Sequence, residues 1–430
     1  MPTPTWRAPS PTATAAACDG AVKALVFGRD ADPAAPPLLA ATPMALGDVP
    51  DPEIRGPGWA VLRTRLCGIC GSDTKQVLLD GDADNPMSAF ISFPQVLGHE
   101  VVATVEDAGP EVIDAGLEPG QRAILDPWLT CGPRGVEPPC PACVAGDHSL
   151  CWSFFDGDLA PGIHTGTSAD ATGGFAELLP AHRNMLIPVP DDVPDEVAVL
   201  ADPFSVALHA VTRHPPPEHG RAVVYGAGAL GTCAAAILRA LHPAVEVAVV
   251  ARFPAQAALA AELGATTYAP EPREDLVVQL ADWSGGKLRH PWGGLPVTHP
   301  GGVDVVYDTV GAAQTVEVGV RVLRSRGTLV QLGVGKLERC EWTPWYFKEL
   351  RLVGSNAFGI EEVDGVRQHG IAHYLDLVQD GRVDLTGMLT HTFPLERWRD
   401  AFTTLIDQGE TGAIKVAFDL RAPSGTSVGR

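Results

Sequence analysis

Short apolar runs of the kind that form β-strands dominate the chain up to about residue 203. Runs at residues 21–27, 59–64 and 101–105 are separated by glycine and proline at close intervals. Apolar runs of this length, bounded by turn residues, predict an irregular and mostly antiparallel β domain. We therefore expect a β-rich domain over residues 21–203.

The pattern changes near residue 204, where apolar strands begin to alternate with alanine-rich helices. Four runs predict strands, at residues 222–225, 246–250, 303–307 and 328–332, and two stretches predict helices, at residues 232–241 and 255–263. This alternation is typical of a parallel sheet with helices on both faces. The sequence thus predicts an α/β protein in which a doubly wound parallel-sheet domain, residues 204–355, is inserted into the β-rich one. Residues 356–430 then return to the first domain, with a closing strand at 413–418. Residues 288–302 interrupt the alternation and are interpreted as a surface loop.

The composition favours a folded protein without a nucleic-acid or membrane partner. The chain has 430 residues, is 45% hydrophobic and carries a formal net charge of −21 at pH 7. That apolar content suffices for a packed core, and the acidic balance disfavours binding to a phosphate backbone.

Residues 1–20 lack the basic flank and apolar block of a secretion signal, so we interpret them as a flexible leader. No apolar stretch approaches the roughly 20 residues of a membrane helix. We predict a cytoplasmic protein.

A glycine-rich turn joins the first predicted strand of the inserted domain to its first helix. Gly226, Gly228 and Gly231 have the spacing G-x-G-x-x-G, with Leu230 in the same turn. The first glycine permits a tight turn, the second lets a pyrophosphate approach the backbone, and the third allows close packing of strand and helix. The helix N-terminus then faces the anion. The turn predicts a dinucleotide site, and a packing role alone is the alternative.

The end of the second predicted strand bears on the choice of cofactor. A free ribose 2′-hydroxyl is usually bound by an Asp or Glu about 20 residues after the glycine turn. Here Val250 and Ala251 are followed by Arg252, with no acid. A guanidinium can pair with a 2′-phosphate and stack on adenine. We therefore predict that Arg252 favours NADP over NAD, the alternative being an exposed side chain without a ligand.

Two short motifs about thirty residues apart contain possible metal ligands. Cys70 stands in a Gly-Ile-Cys-Gly-Ser-Asp segment, and His99 and Glu100 stand in a Gly-His-Glu segment. A thiolate, an imidazole and a carboxylate can form a catalytic zinc site that leaves one position open. In these motifs the chain resembles the zinc-containing medium-chain dehydrogenases, the superfamily of alcohol, sorbitol and threonine dehydrogenases. The resemblance extends from about residue 21 to residue 419.

The resemblance implies a GroES-like catalytic domain, an inserted Rossmann domain and a set of zinc ligands. Cys70 and His99 match the first two ligands of the family. Asp202, which precedes a proline, matches the third ligand of the polyol-type branches, where the family has a glutamate. Because aspartate is shorter, direct and water-mediated ligation both stay open. Glu100 matches an acid that can approach the zinc.

The resemblance also implies how the substrate proton leaves. Ser72 matches the hydroxyl that passes the proton outward, and Asp73 matches the acid that orients the histidine ligand. Many relatives carry a histidine three residues after the serine, whereas this chain has Lys75. The proton path beyond Ser72 therefore stays open, with Thr74, Lys75 or water as candidates.

A cysteine-rich segment at residues 131–151 resembles the structural-zinc lobe of the same family. It contains four of the nine cysteines: Cys131, Cys140, Cys143 and Cys151. The last three match the family's spacing, but Glu137 occupies the usual place of the first ligand. Cys131 is interpreted as that ligand, displaced by a longer loop. Four thiolates would close the site around a non-catalytic zinc, which gives two zinc ions per chain. Completion of a three-cysteine site by Glu137 or His148, and a lobe without metal, are the alternatives.

Together the resemblance implies a zinc-dependent oxidoreductase that transfers a hydride between a secondary alcohol or its ketone and a nicotinamide cofactor. A polyol, sugar or amino-alcohol-like substrate is favoured by the Asp202-Pro203 arrangement. A zinc ion would lower the pKa of the alcohol. The alternatives are an aldehyde or aryl-ketone reductase of the same superfamily and, remotely, a non-catalytic cofactor-binding protein. Family members are typically homodimers or homotetramers.

Several further residues receive less definite interpretations. By resemblance, four residues at two strand ends should border the nicotinamide: Val310, Leu332, Gly333 and Val334. Lys415 is expected to be a solvated lysine of the closing strand, with contact to the cofactor as the alternative. For Trp128 and His164 we expect packing or surface roles.

Overall fold

The computed structural model describes residues 21–28, 39–80, 85–335 and 339–421, so the predicted leader lies outside the described residues. The strands are β1 (Ala21–Phe27), β2 (Met44–Pro50), β3 (Trp59–Gly68), β4 (Gln95–Val96), β5 (Glu100–Ala108), β6 (Arg122–Leu125), β7 (Leu178–His182), β8 (Leu186–Pro188), β9 (Arg221–Tyr225), β10 (Glu246–Val250), β11 (Thr266–Tyr268), β12 (Leu288–Arg289), β13 (Val297–Thr298), β14 (Val303–Asp308), β15 (Leu323–Gln331), β16 (Arg351–Gly354), β17 (Ile360–Val363), β18 (Val366–His369), β19 (Leu389–Phe393) and β20 (Lys415–Asp419).

The helices are α1 (Gly71–Val77), α2 (Pro110–Asp114), α3 (Pro141–Ala145), α4 (Asp195–Ala198), α5 (Ala201–Arg213), α6 (Ala229–Leu241), α7 (Pro254–Glu262), α8 (Arg273–Ser284), α9 (Ala313–Val322), α10 (Thr343–Phe347), α11 (Gly370–Gln379), α12 (Trp398–Ile406) and α13 (Gln408–Thr411). Short 3₁₀ turns lie at Pro86–Phe90, His148–Leu150, Arg183–Met185 and Leu395–Arg397. Among the described residues, no helix has the length and apolar character needed to cross a membrane.

A largely antiparallel sheet forms the β-rich part of the molecule. Its strand order is β19-β20-β3-β5-β6-β8, with β7 also paired to β3. β3 pairs with β5 on one side and with β20 on the other. The prediction that the closing strand rejoins the first domain is therefore confirmed. A smaller sheet, β2-β1-β4, lies beside it.

A six-stranded parallel sheet is built from the segment between β9 and β16. The order β11-β10-β9-β14-β15-β16 is parallel throughout, which confirms the predicted α/β class. The apolar run in β9 is buried along almost its whole length, because helices cover both faces of such a sheet. α6 begins at Ala229, three residues earlier than predicted, so Gly231 lies in its first turn.

The segment at residues 288–302 differs from the predicted loop. It contains β12 and β13, which pair antiparallel with Leu288 opposite Thr298. Their short length explains why hydrophobic periodicity did not reveal them, since alternation needs four or more residues to be recognised.

The two sheets share one hydrophobic core. A single cluster of buried side chains includes Val102 and Ile124 from the antiparallel sheet, Val224 from the parallel sheet, and Phe204 from α5. α5 therefore lies at the junction, and its first turn is adjacent to the residues described next.

Candidate functional site

Strand pairing brings the first predicted ligand set together. β3 and β5 run antiparallel, and their pairing places Gly68 opposite Glu100. Cys70 follows two residues later as the N-cap of α1, and His99 immediately precedes β5. One ligand atom from each of Cys70, His99 and Glu100 lies within 4.8 Å of the others. Residues about thirty positions apart thus converge because one strand register aligns them.

Glu100 makes an ion pair with Lys415 of β20. Both side chains are buried, and Lys415 also donates to the Ile69 carbonyl at 3.0 Å. Burial alone would lower the pKa of Lys415, but the neighbouring Glu100, Cys70 and Asp202 together outweigh burial and raise it. The interpretation of Lys415 as a solvated lysine is therefore wrong. The pair fits because Gly68 has no side chain: a Cβ there would collide with the Glu100 carboxylate.

Asp202 lies beside this set but outside it. It stands in the first turn of α5 and is buried. Burial raises the pKa of Asp202 to about 7, and the charge of Glu100 adds to this effect while His99 opposes it. These mutual influences place Asp202 within electrostatic reach of both residues. The oxygen that groups with Cys70 and His99 is nevertheless that of Glu100.

The acidic neighbours of His99 favour a positive charge on its ring or next to it. Burial by itself would lower the pKa of His99, but Asp73 and Cys70 outweigh it and raise the pKa well above its ordinary value. Asp73 Oδ1 lies 3.7 Å from His99 Nδ1, while its Oδ2 accepts from the Cys70 amide at 2.9 Å. Asp73 therefore ties α1 to the histidine. Ser72, the neighbouring residue, is exposed.

The donor atoms present fit a zinc ion. Sulfur, nitrogen and oxygen ligands in a three-residue set leave a fourth position open, as in catalytic zinc sites. His99 Nδ1 is buried without a hydrogen-bond partner among the described residues. Two further buried acids, Asp73 and Asp202, lie beside the cluster, and a cation would offset negative charge in the protein interior.

The four cysteines of the lobe also lie together, although 20 residues separate the first from the last. The Sγ atoms of Cys131 and Cys151 are 3.7 Å apart, and those of Cys140 and Cys151 are 3.9 Å apart. Zinc–sulfur bonds of about 2.3 Å give a tetrahedral edge of roughly 3.8 Å. A disulfide would need about 2.05 Å, so the four thiols fit one metal ion.

The lobe already favours a thiolate without metal. The Cys143 thiol, which is hydrogen-bonded to Cys151, lowers the pKa of Cys151 to about 5. Of the two alternative ligands, Glu137 is exposed and His148 belongs to a different cluster. Cys131 joins the set from the start of the longer loop.

Arg134 holds that loop in place, and sequence reasoning missed it. Its guanidinium is fully buried and donates to five main-chain carbonyls, those of Leu129, Asp156, Leu159, Ala160 and Gly162. An arginine with five donors suits this task, but nothing in the sequence distinguishes it from a surface arginine.

The glycine turn between β9 and α6 presents an open surface for a dinucleotide. Gly231 packs so closely that a Cβ would collide with the Gly226 carbonyl. At Gly228, by contrast, a Cβ would have no neighbouring atom within 4 Å. Leu230 is half-buried in the same turn, and Arg252 is exposed after β10, with its guanidinium 5.3 Å from the Phe253 ring. The turn therefore fits a cofactor pyrophosphate, with a free cation near the ribose end.

The ends of β14 and β15 form one apolar rim. Buried Asp308 accepts from the amides of Val310 and Gly311, both at 3.0 Å. The amides of Leu332 and Gly333 donate to the Asp308 carbonyl at 2.9 Å. Val310 and Val334 are 44% and 76% exposed. The two turns are thus held together, and both valine side chains are free to contact a ligand.

The glycine turn and the first ligand set are neighbours. Cys233 of α6, two residues after Gly231, is buried, and burial raises its pKa. Glu100 and Asp202 contribute in the same direction. α6 also packs against α5, whose first turn holds Asp202, so the helix that follows the glycine turn lies in the same region of the molecule as the first ligand set.

Asp126, His148 and His369 form a third cluster that no sequence motif predicts. Asp126 Oδ2 lies 3.1 Å from His369 Nε2 and 3.5 Å from His148 Nδ1. His369 Nδ1 accepts from the Ile371 amide at 3.2 Å, which leaves the proton of the neutral ring on Nε2. A metal would require that nitrogen to be deprotonated. We therefore interpret the cluster as a polar contact between the lobe and α11, in which Asp126 lies close to both histidines.

The fold and the site define a class: a two-domain enzyme fold in which a dinucleotide turn adjoins a metal-binding β domain. A model of the alcohol dehydrogenase GroES-like domain matches residues 56–191, and a model of the zinc-binding dehydrogenase family matches residues 229–369. The chain belongs to the zinc-dependent medium-chain dehydrogenase/reductase superfamily.

Individual relatives cover most of the chain. (R,R)-butanediol dehydrogenase of Saccharomyces cerevisiae is 27% identical over 85% of this chain and 92% of its own. L-threonine 3-dehydrogenase of Mesorhizobium japonicum is 28% identical over 85% and 93%. An NADP-bound structure from Sinorhizobium meliloti 1021, described as a zinc-binding dehydrogenase, is 27% identical with a TM-score of 0.68, covering 93% of this chain and 99% of its own.

Proposed function

We propose that this protein is a zinc-dependent oxidoreductase that transfers a hydride between a polyol, sugar or amino-alcohol-like secondary alcohol, or its ketone, and a nicotinamide cofactor. The observation that carries the proposal is the convergence of Cys70, His99 and Glu100 within 4.8 Å, in a chain that also carries the glycine turn of a dinucleotide site. The named substrates of two relatives, butanediol and threonine, each carry a second polar group next to a secondary alcohol.

Cys70, His99 and Glu100 would hold the catalytic zinc, with Asp202 nearby. A zinc ion in this set supplies Lewis-acid polarisation of the substrate oxygen. Lys415 also binds the Glu100 carboxylate, so the lysine and the zinc ion would compete for it. Asp202 can replace it or hold a ligating water, because it is buried and electrostatically linked to both His99 and Glu100.

Ser72 would take the substrate proton and pass it outward. Its hydroxyl is exposed, so water can reach it directly. Thr74 is already engaged with the Cys70 carbonyl at 3.2 Å, which leaves half-buried Lys75 or water as the next member.

The dinucleotide would bind along the turn and the apolar rim. The pyrophosphate lies against Gly226, Gly228, Leu230 and Gly231, and the nicotinamide lies against Val310, Leu332, Gly333 and Val334. Arg252 favours NADP over NAD because its exposed guanidinium can pair with a 2′-phosphate. The NADP-bound relative supports this choice.

The second zinc ion would be structural and held by Cys131, Cys140, Cys143 and Cys151. The sulfur–sulfur distances of 3.7 and 3.9 Å support it. This assignment gives two zinc ions per chain.

The protein would act as a cytoplasmic homodimer or homotetramer. β16 is the edge of the parallel sheet, and α10 beside it exposes Trp345, Tyr346 and Phe347. An exposed strand edge next to an aromatic surface is suited to association between copies.

A substrate panel tests the proposal. The full-length protein would be assayed with NADP and NAD against polyols, vicinal diols, threonine and aryl alcohols, by absorbance of the reduced nicotinamide. We expect turnover of hydroxylated secondary alcohols, loss of turnover in Cys70→Ser, and no loss in the matched control Cys340→Ser. Turnover of aryl substrates alone, or equal turnover by Cys70→Ser, would contradict the proposal.

A further inference from the structure

The ring of His164 lies against the first ligand set, although the sequence indicated no partner for it. Its centroid is 4.6 Å from that of His99. Trp128 and His164 are paired by an antiparallel bridge, and their rings meet edge to face at 5.8 Å. Two main-chain bonds hold the segments together, Leu129 N to Ile163 O at 3.2 Å and Thr165 N to Pro127 O at 2.8 Å.

The hydrogen bonds of His164 define which ring nitrogen is available. Nδ1 lies 2.7 Å from the Thr165 carbonyl oxygen. Because a carbonyl can only accept, Nδ1 carries the proton, and Nε2 of the neutral ring is left with a lone pair. His164 is thus an acceptor in a fixed position.

The residue is also fixed at its backbone. The His164 amide donates to Thr167 Oγ1 at 3.1 Å, and that hydroxyl donates back to the His164 carbonyl at 2.6 Å. One cavity is lined by both His164 and Ser72. His164 therefore lines the same cavity as the residue to which we assign the substrate proton.

Trp128, whose ring lies against that of His164, carries an unused donor. Its indole nitrogen is buried and has no hydrogen-bond partner among the described residues. A buried N–H without a partner is unfavourable, and a bound hydroxyl, which both donates and accepts, could satisfy Trp128 and His164 together.

We propose that His164 and Trp128 form a polar subsite that binds a second hydroxyl of the substrate, next to the reacting carbon. The hydroxyl donates to His164 Nε2 and accepts from Trp128 Nε1. His164 and Trp128 are therefore specificity-determining residues, which select vicinal diols over plain secondary alcohols and aryl ketones. This inference rests on the proposed function, since it assumes that the substrate alcohol binds beside His99.

The test compares two substrates that differ by one hydroxyl, (2R,3R)-butane-2,3-diol and 2-butanol. His164→Phe keeps a ring but removes the acceptor, and His164→Gln restores an acceptor oxygen. We expect His164→Phe to lower kcat/KM for the diol by about tenfold, the effect of one hydrogen bond, and to leave 2-butanol within about threefold. His164→Gln should recover part of the diol activity, and Trp128→Phe should lower it by a smaller factor.

Equal losses on both substrates would show a structural role and overturn the proposal, as would a wild type without preference for the diol. Calorimetric titration of the diol into the enzyme–cofactor complex gives a readout independent of turnover, and we expect about tenfold weaker binding to His164→Phe. A wild type that oxidises no alcohol while holding its zinc would refute the proposed function. In that case the calorimetric titration alone would test whether the subsite binds the diol. Equal diol binding by wild type and His164→Phe would refute the subsite.

Discussion

The two ligand clusters of this protein differ in how their members are brought together. The lobe collects four identical thiols from a 21-residue segment, 131–151, whose sulfur atoms match the edges of one tetrahedron. The other cluster collects a thiol from the start of α1, and an imidazole and a carboxylate from the start of β5, beside a competing lysine of β20 and an acid of α5. The first arrangement closes a site; the second leaves a position open and a choice of oxygen ligand. The comparison indicates a structural role for the four-cysteine lobe and a catalytic role for the cluster of Cys70, His99 and Glu100.

The largest expected effect separates the two roles directly. Cys70→Ser should lower kcat/KM at least about a thousandfold, because Lewis-acid stabilisation of several kcal/mol is lost. The thermal midpoint should change little, and the zinc content should fall by one ion per chain. Elemental analysis and steady-state kinetics check this, with Cys340→Ser as the control. A variant that keeps both its zinc and its activity would contradict the assignment.

The reciprocal change in the lobe should act on stability. Cys143→Ser leaves three thiols, so we expect the second zinc ion to be lost and the thermal midpoint to fall by about 10 °C or more. Below that midpoint, activity per folded molecule should stay near that of the wild type. Calorimetry and activity at low temperature measure the two parts. Loss of activity without loss of stability would remove the distinction between the clusters.

Glu100 and Asp202 should differ in the same assays. Glu100→Gln replaces the carboxylate that groups with Cys70 and His99 by a neutral amide, so we expect a 10- to 100-fold loss of zinc affinity or activity, the order seen for residues that tune metal sites. Asp202→Asn should have a smaller effect. Glu100→Gln also leaves Lys415 buried without its partner, at a cost of about 3 kcal/mol.

The double variant Glu100→Gln with Lys415→Met separates these two consequences. Stability should return, because no buried charge is left unpaired, while zinc affinity should stay low. A larger effect of Asp202→Asn on zinc affinity would show that Asp202 is the oxygen ligand.

Arg252→Ala should affect only the cofactor. We expect the KM for NADP to rise about tenfold, the scale of one charged contact, with the KM for NAD unchanged. Initial rates with both cofactors measure this. A matched rise for NAD, or a tighter Kd for NAD than for NADP in the wild type, would refute the role of Arg252.

The last prediction concerns stability only, at the contact between the lobe and α11. Burial would raise the pKa of Asp126, but His369 and His148 outweigh it and lower the pKa to about 2. A lowered pKa stabilises the fold above the ordinary value near 4, and this contribution, roughly 2 kcal/mol, is lost as the pH falls through about 2. Asp126→Asn should therefore reduce stability at pH 6 and flatten the acid limb of the unfolding profile. An unchanged acid limb would contradict this account.

The sequence predicted structure formed by neighbouring residues well, and it did not predict contacts between residues that are far apart in the chain. β1 and β10 have the predicted bounds, since each is a local apolar run. Three of the four lobe cysteines matched the spacing of the family that the chain resembles, and Cys131 was interpreted as the displaced fourth. The pair of Glu100 and Lys415 was not, because it depends on β20 pairing beside β3, more than three hundred residues away. Arg134 and the cluster around Asp126 were missed for the same reason: single charged residues show no periodicity, and their partners are main-chain carbonyls or distant histidines.

Anomalous diffraction at the zinc edge, from crystals of the full-length protein, tests the central claim most directly. The account predicts two peaks per chain, one at the centre of the four lobe sulfur atoms and one bounded by Cys70, His99 and an acidic oxygen of Glu100 or Asp202. A peak in the lobe alone, with Cys70 and His99 holding no metal, would contradict it.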